Sequence, residues 1–125
     1  MTLKEAQSII DDLAREFNVS SPTVRFKRRR NGRAARRSDY DGSIPRINLA
    51  GWEVSVGAVL HEFAHHMHGA VGWEAHNIIF YWHLTEIIDY YFNGDFAKYP
   101  WEMEYKYGQK FFQQVLIPLW LEEVL

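Results

Sequence analysis

The chain has 125 residues, 47% hydrophobic and 16% aromatic, with 14 Lys and Arg against 16 Asp and Glu for a net charge of −2. That length is enough to close one core and too short for two comfortable domains, so a single domain over residues 1–125 is expected. The absence of cysteine excludes a disulfide framework, a thiol nucleophile and a cysteine-based zinc ribbon, so any metal site or catalysis must rest on His, Asp and Glu.

The opening "MTLKEAQSIIDDLAREF" is charged and amphipathic, where a secretory signal has a continuous apolar run. No stretch approaches the roughly 20 apolar residues of a membrane span, so the expectation is a cytoplasmic protein without a membrane partner. Within this opening, Leu3, Ala6, Ile10, Leu13 and Phe17 recur at intervals of three and four. This is the helical period, and it predicts a helix over Leu3–Phe17 that stops before "NVSSP".

"TVRFKRRR" and "RAARRSDY" flank Asn31-Gly32, a pair whose easy positive φ suits a tight hairpin turn, and they predict two antiparallel strands. "RINLA" predicts a third short strand. From Trp52 onward, Val56, Val59, Leu60, Phe63 and Ala64 share one broad helical face, and Gly69 is placed to cap it. "WEAHNIIFYWHLTEIIDYYF" continues as a third helix ending at Asn93-Gly94. Pro100 opens a fourth, "PWEMEYKYGQKFFQQVL", and Pro118 either kinks it or starts a short terminal helix. The predicted class is α+β, a small antiparallel three-stranded sheet with about four helices.

Charge is segregated along this order. Eight of the basic residues fall between Arg25 and Arg37, in "RFKRRRNGRAARR". Such a hairpin attracts polyanions through counterion release, which makes Arg28, Arg29, Arg30, Arg33, Arg36 and Arg37 candidates for non-specific DNA binding. Alternating arginines that solvate an outer sheet face are the competing explanation.

Five of the six histidines lie between His61 and Phe80. His61-Glu62-x-x-His65 places two imidazoles four residues apart on one helical face, where both reach one metal ion, with Glu62 beside the position a water would take. His68 is a poor third ligand, because seven residues rise about 10.5 Å along a helix while a zinc–nitrogen bond is only about 2.1 Å. His66 points about 100° round the helix from His65, a solvated or locally hydrogen-bonded histidine. His76 is better placed, since Gly69 and Gly72 allow the chain to reverse. Glu74, His83 and Glu86 compete with it, and Glu86 would suit a gluzincin-like site.

The run "HEFAHHMHG" followed by "WEAHNIIF" resembles the core of the SprT-like (Spartan-like) zinc metallopeptidases, where H-E-x-x-H precedes a third ligand in a pattern similar to H-G-x-x-F. Here that pattern becomes His76-Asn77-Ile78-Ile79-Phe80, with Asn77 in place of the glycine. "RINLA" is similar to the family's short strand ahead of the active-site helix, and the resemblance covers roughly Val24 to Leu84. Minimal gluzincin-like peptidases are the second family in view. The resemblance implies a zincin-like fold, Zn²⁺ held by His61, His65 and His76, and an endopeptidase acting on unfolded or DNA-associated protein.

In that chemistry the metal activates a water, Glu62 acts as general base, and a further donor is sought among Tyr40, Tyr81 and Tyr90. An extended substrate would pair with the strand around Arg46–Leu49 if that strand forms an open edge. The alternative from another class is a catalytically idle, metal-stabilised nucleic-acid-binding protein that uses the Arg25–Arg37 hairpin. The presence of Glu62 argues against it, because a purely structural site needs no general base and fills its fourth position with protein.

Overall fold

The computed structural model describes residues 1–27, 37–50, 55–69 and 75–124. The chain packs as two compact units, Met1–Ala75 and His76–Leu125, and its class is α+β.

In the first unit, helix α1 (Leu3–Glu16) begins with a reciprocal cap. The Glu5 amide donates to Thr2 Oγ1 at 3.1 Å and the Thr2 amide donates to Glu5 Oε1 at 3.3 Å, so two amides that the helix leaves unpaired are satisfied. Ala6, Ile10 and Leu13 are fully buried, as their spacing requires. Gln7 reaches off the helix to the strand that follows, accepting from the Val24 amide at 2.9 Å and donating to the Pro22 carbonyl at 3.1 Å.

Strands β1 (Thr23–Phe26), β2 (Asp39–Asp41) and β3 (Arg46–Leu49) form one sheet in the order β1-β3-β2. Most of the antiparallel hairpin expected around Asn31-Gly32 lies outside the described residues, and among the described residues β1 and β2 do not pair with each other. β1 runs parallel to β3, with Thr23 opposite Arg46, and β2 runs antiparallel to β3, with Tyr40 opposite Ile47. The sheet is therefore mixed, and the physical reason lies in β3. Its Ile47 and Leu49 are fully buried and its Asn48 is 7% exposed, so its backbone groups need partners on both sides.

Asn48 also ties the row together. Its Oδ1 accepts from Arg25 Nε at 2.7 Å and its Nδ2 donates to Asp39 Oδ1 at 2.8 Å, while Asp39 Oδ2 pairs with Lys27 Nζ at 2.6 Å. One side-chain amide thus bridges both neighbouring strands and fixes their register. The turn from β2 into β3 is held by Asp41, whose Oδ1 accepts from the Ser43 amide and hydroxyl at 3.0 and 2.6 Å. Those bonds hold the Asp41 carboxyl below its ordinary range.

Helix α2 (Val56–His68) starts at Ser55, whose hydroxyl accepts from the Ala58 amide at 3.2 Å, and stops at Gly69 with φ 77°. That left-handed conformation is the one glycine adopts without penalty. The helix packs on α1, β2 and β3 through the fully buried Val59, Leu60, Phe63 and Ala64.

In the second unit, helix α3 (Ile78–Tyr91) begins later than the spacing suggests. Asn77 is its N-cap, accepting from the Phe80 amide at 3.1 Å, so His76 stands in front of the helix. The expected end at Asn93-Gly94 is found, both with positive φ. Pro100 opens no α-helix; short 3₁₀ turns at Phe96–Lys98 and Trp101–Met103 lead instead to α4 (Lys106–Phe111).

A π-helical stretch, Phe112–Leu116, joins α4 to α5 (Ile117–Val124). It lies just before Pro118, whose ring cannot donate and clashes with the carbonyl four residues back, and a wider turn relieves that clash. Tyr81 is fully buried against Gly108, where an added Cβ would come within 2.7 Å of the phenol ring. Among the described residues no helix is long and apolar enough to cross a membrane.

Candidate metal centre

Helix α2 presents His61 and His65 one turn apart, their rings 5.1 Å between centroids and inclined at 71°. Glu62, between them in sequence, is 6% exposed, and His65 itself 5%. A carboxylate so far from water is stable only where hydrogen bonds or positive charge compensate it. His76 completes the set: ligating atoms of His61, His65 and His76 all lie within 4.8 Å of one another, the one such group of metal-binding side chains among the described residues.

Three imidazole nitrogens at about 2.1 Å from a tetrahedral ion stand about 3.4 Å apart, against the 4.8 Å upper limit of this group. The donor set suits a borderline ion such as zinc, since neutral imidazoles bind Zn, Cu, Fe and Ni while carboxylates and carbonyls suit Mg and Ca. No further His, Asp or Glu joins the three among the described residues.

The competing ligands that the structure describes lie outside this group. His68 and His83 are half-buried and outside the group, Glu86 is exposed and also outside it, and Glu74 lies outside the described residues. His66 is committed elsewhere. Its Nε2 lies 2.6 Å from the Ser20 carbonyl and its Nδ1 2.8 Å from the Tyr40 hydroxyl. A carbonyl can only accept, so Nε2 carries the proton and Nδ1 of the neutral ring accepts from Tyr40. Burial, with the Asp41 charge adding to it, raises the Tyr40 phenol above the ordinary tyrosine range and keeps it a donor.

The three tyrosines named as further donors are placed differently. Tyr40 is engaged with His66, Tyr81 donates to the buried Glu104 at 3.2 Å, and Tyr90 is part-exposed on α3. The tyrosine next to a candidate ligand is Tyr105, its ring 4.8 Å from that of His76. Nothing in the spacing singles it out, because it sits in an aromatic-rich stretch that reads as core.

β3 has β1 on one side and β2 on the other, so an extended substrate finds no open edge along Arg46–Leu49, contrary to expectation. Of the basic residues, Arg28, Arg29, Arg30, Arg33 and Arg36 lie outside the described residues, and Arg37 is exposed. Arg25 and Lys27 are tied into the sheet through Asn48 and Asp39.

No protein-family model, no curated protein and no solved structure matches this chain. The likeness to SprT-like peptidases therefore rests on the motif residues themselves, and what stands for this chain is a three-histidine group, His61, His65 and His76, able to hold a metal ion.

Proposed function

We propose that the protein is a zinc-dependent endopeptidase that hydrolyses peptide bonds in unfolded or DNA-associated protein. The observation that carries this reading is the convergence of His61, His65 and His76 with the buried Glu62 next to the first of them on the same helix. When bound, Zn²⁺ supplies a Lewis acid for the scissile carbonyl and lowers the pKa of a water towards neutrality.

The chain's own residues do the rest. His61 and His65 are fixed by α2, and His76 by the packing of its ring. Glu62, acceptor-only while ionised, takes the proton of the attacking water and returns one to the departing amine. A carboxylate held in a largely dry position keeps that proton close to the reacting atoms.

The test uses an unfolded protein substrate, with and without DNA. Cleavage should disappear on chelation, return with one equivalent of zinc, and be absent in His76→Ala, while Glu86→Ala and His68→Ala remain active and stoichiometric in metal. A wild-type protein that holds zinc and cleaves nothing under these conditions would overturn the peptidase reading. Metal loss in Glu86→Ala with retention in His76→Ala would move the site to a gluzincin-like ligand set.

A further inference from the structure

Two of the three candidate ligands owe their orientation to a helix, but His76 precedes the Asn77 cap of α3 and is not itself part of a helix. A side chain on irregular backbone loses rotamer freedom when it binds an ion, which weakens binding unless its ring is already confined. Its surroundings supply that confinement. The His76 imidazole meets the Phe80 ring at 5.0 Å between centroids and the Tyr105 ring at 4.8 Å, each inclined at 72°. Both are edge-to-face contacts within the range aromatic pairs favour.

We infer that Tyr105 and Phe80 are positioning residues for His76, two rings that hold its imidazole in a metal-binding orientation, with the buried Glu104 anchoring the backbone from which Tyr105 reaches it. The inference rests on the metal site above. Phe80 is fully buried and lies in the first turn of α3, its amide tied to Asn77, so its ring is fixed. This gives the His-x-x-x-Phe spacing a physical role.

Tyr105 is fixed by its neighbours. Glu104 is 5% exposed, and its carboxylate accepts from Tyr81 Oη at 3.2 Å and Tyr99 Oη at 2.6 Å. Its amide donates to the Trp101 carbonyl at 3.0 Å and its carbonyl accepts from Gln109 Nε2 at 2.8 Å. The Tyr105 carbonyl in turn accepts from the Gln109 amide at 3.1 Å. The peptide groups on both sides of the Tyr105 Cα are thus held, and Gly108 lets Tyr81 lie close enough to the chain to take part.

The experiment measures zinc affinity of the full chain by competition with a chromophoric chelator, and the d–d absorption of the Co²⁺-substituted protein. Tyr105→Phe keeps the ring and should bind within about threefold of wild type. Tyr105→Leu should bind about 10- to 100-fold more weakly, the range seen when groups that orient a ligand are removed, with an altered Co²⁺ spectrum and an unchanged far-UV circular dichroism. Wild-type affinity in a folded Tyr105→Leu, or equal loss in Tyr105→Phe, would overturn the inference. If Tyr105→Leu does not fold, the metal-free wild-type protein decides by proton NMR. The His76 ring protons should be displaced from random-coil shifts by ring currents, and random-coil values would overturn it. A wild-type chain that binds neither zinc nor Co²⁺ yet shows displaced His76 shifts would sink the metal site and leave an aromatic cluster.

Discussion

The hydroxyl of Tyr40 lies 2.8 Å from Nδ1 of His66, and this bond separates two adjacent histidines into different kinds of residue. His66 joins β2 and the segment after α1 to α2, while His65 turns towards His61 and His76.

Substitution should therefore separate stability from metal binding at neighbouring positions. His66→Ala removes two hydrogen bonds and should lower stability by about 1–3 kcal/mol, while keeping one metal per chain. His65→Ala should lose the metal. Denaturant titration with and without chelator distinguishes them, because only the variant that still binds metal loses stability when the metal is removed. A His66→Ala protein as stable as wild type would show that its two bonds contribute nothing net.

Glu62→Gln keeps the shape of the side chain and removes its basicity. The expected outcome is unchanged zinc stoichiometry and a loss of cleavage by a factor of about 10² to 10⁴. Metal analysis alongside the peptide assay reads both. Retained cleavage would remove Glu62 from the role of base.

The buried Tyr81 phenol is pushed well above its ordinary range, first by burial and then by the charge of Glu104. In the unfolded chain the phenol ionises near pH 10, while in the folded protein it keeps its proton. Above that pH the unfolded state binds fewer protons, so stability falls as pH rises, with a limiting slope of about 1.4 kcal/mol per pH unit from this group. Tyr81→Phe should be less stable near neutrality, having lost the bond to Glu104, and should show a shallower alkaline decline. Urea unfolding at a series of pH values between neutral and strongly alkaline measures it.

The basic stretch makes a prediction independent of the metal. Eight basic residues between Arg25 and Arg37 should bind DNA without sequence preference, with log affinity falling linearly in log salt concentration. Changing Arg28, Arg29 and Arg30 to Ser should weaken binding, whereas Arg25 and Lys27 substitutions should chiefly loosen the sheet, given their partners Asn48 and Asp39. Failure of both single- and double-stranded DNA to bind at low salt would leave the segment a solvated surface.

What spacing reveals and what it hides divides along a physical line. Periodicity and caps are local, so α1 is legible to within a residue, Gly69 ends α2, and Asn93-Gly94 ends α3. The pair His61 and His65 is legible for the same reason, being one helical turn. Strand partners are tertiary. Asn31-Gly32 favours a turn wherever it occurs, but the burial of Ile47, Asn48 and Leu49 decides that β3 is central. The start of α3 was open to reading, because Asn77 is a favoured cap residue, yet the apolar spacing runs on through His76 and obscures it. Tyr105 was not open to reading, since only folding brings it to His76.

The order β1-β3-β2 carries a consequence for how the chain assembles. β2 and β3 are joined by residues 42–45 and pair antiparallel, a closure that needs no distant partner, whereas β1 pairs with β3 across the longer separation from Thr23 to Arg46. Local closure is faster than long-range closure. The β2–β3 pair, with its Asp41–Ser43 turn, is therefore expected to close first, and β1, held to α1 by Gln7, to join it afterwards. Asp41→Ala should accordingly slow refolding in stopped-flow measurements, while Val24→Ala should act mainly by speeding unfolding. An isolated fragment ending before Ile47 would lack the strand that β1 pairs with here, leaving an edge open to other extended peptides.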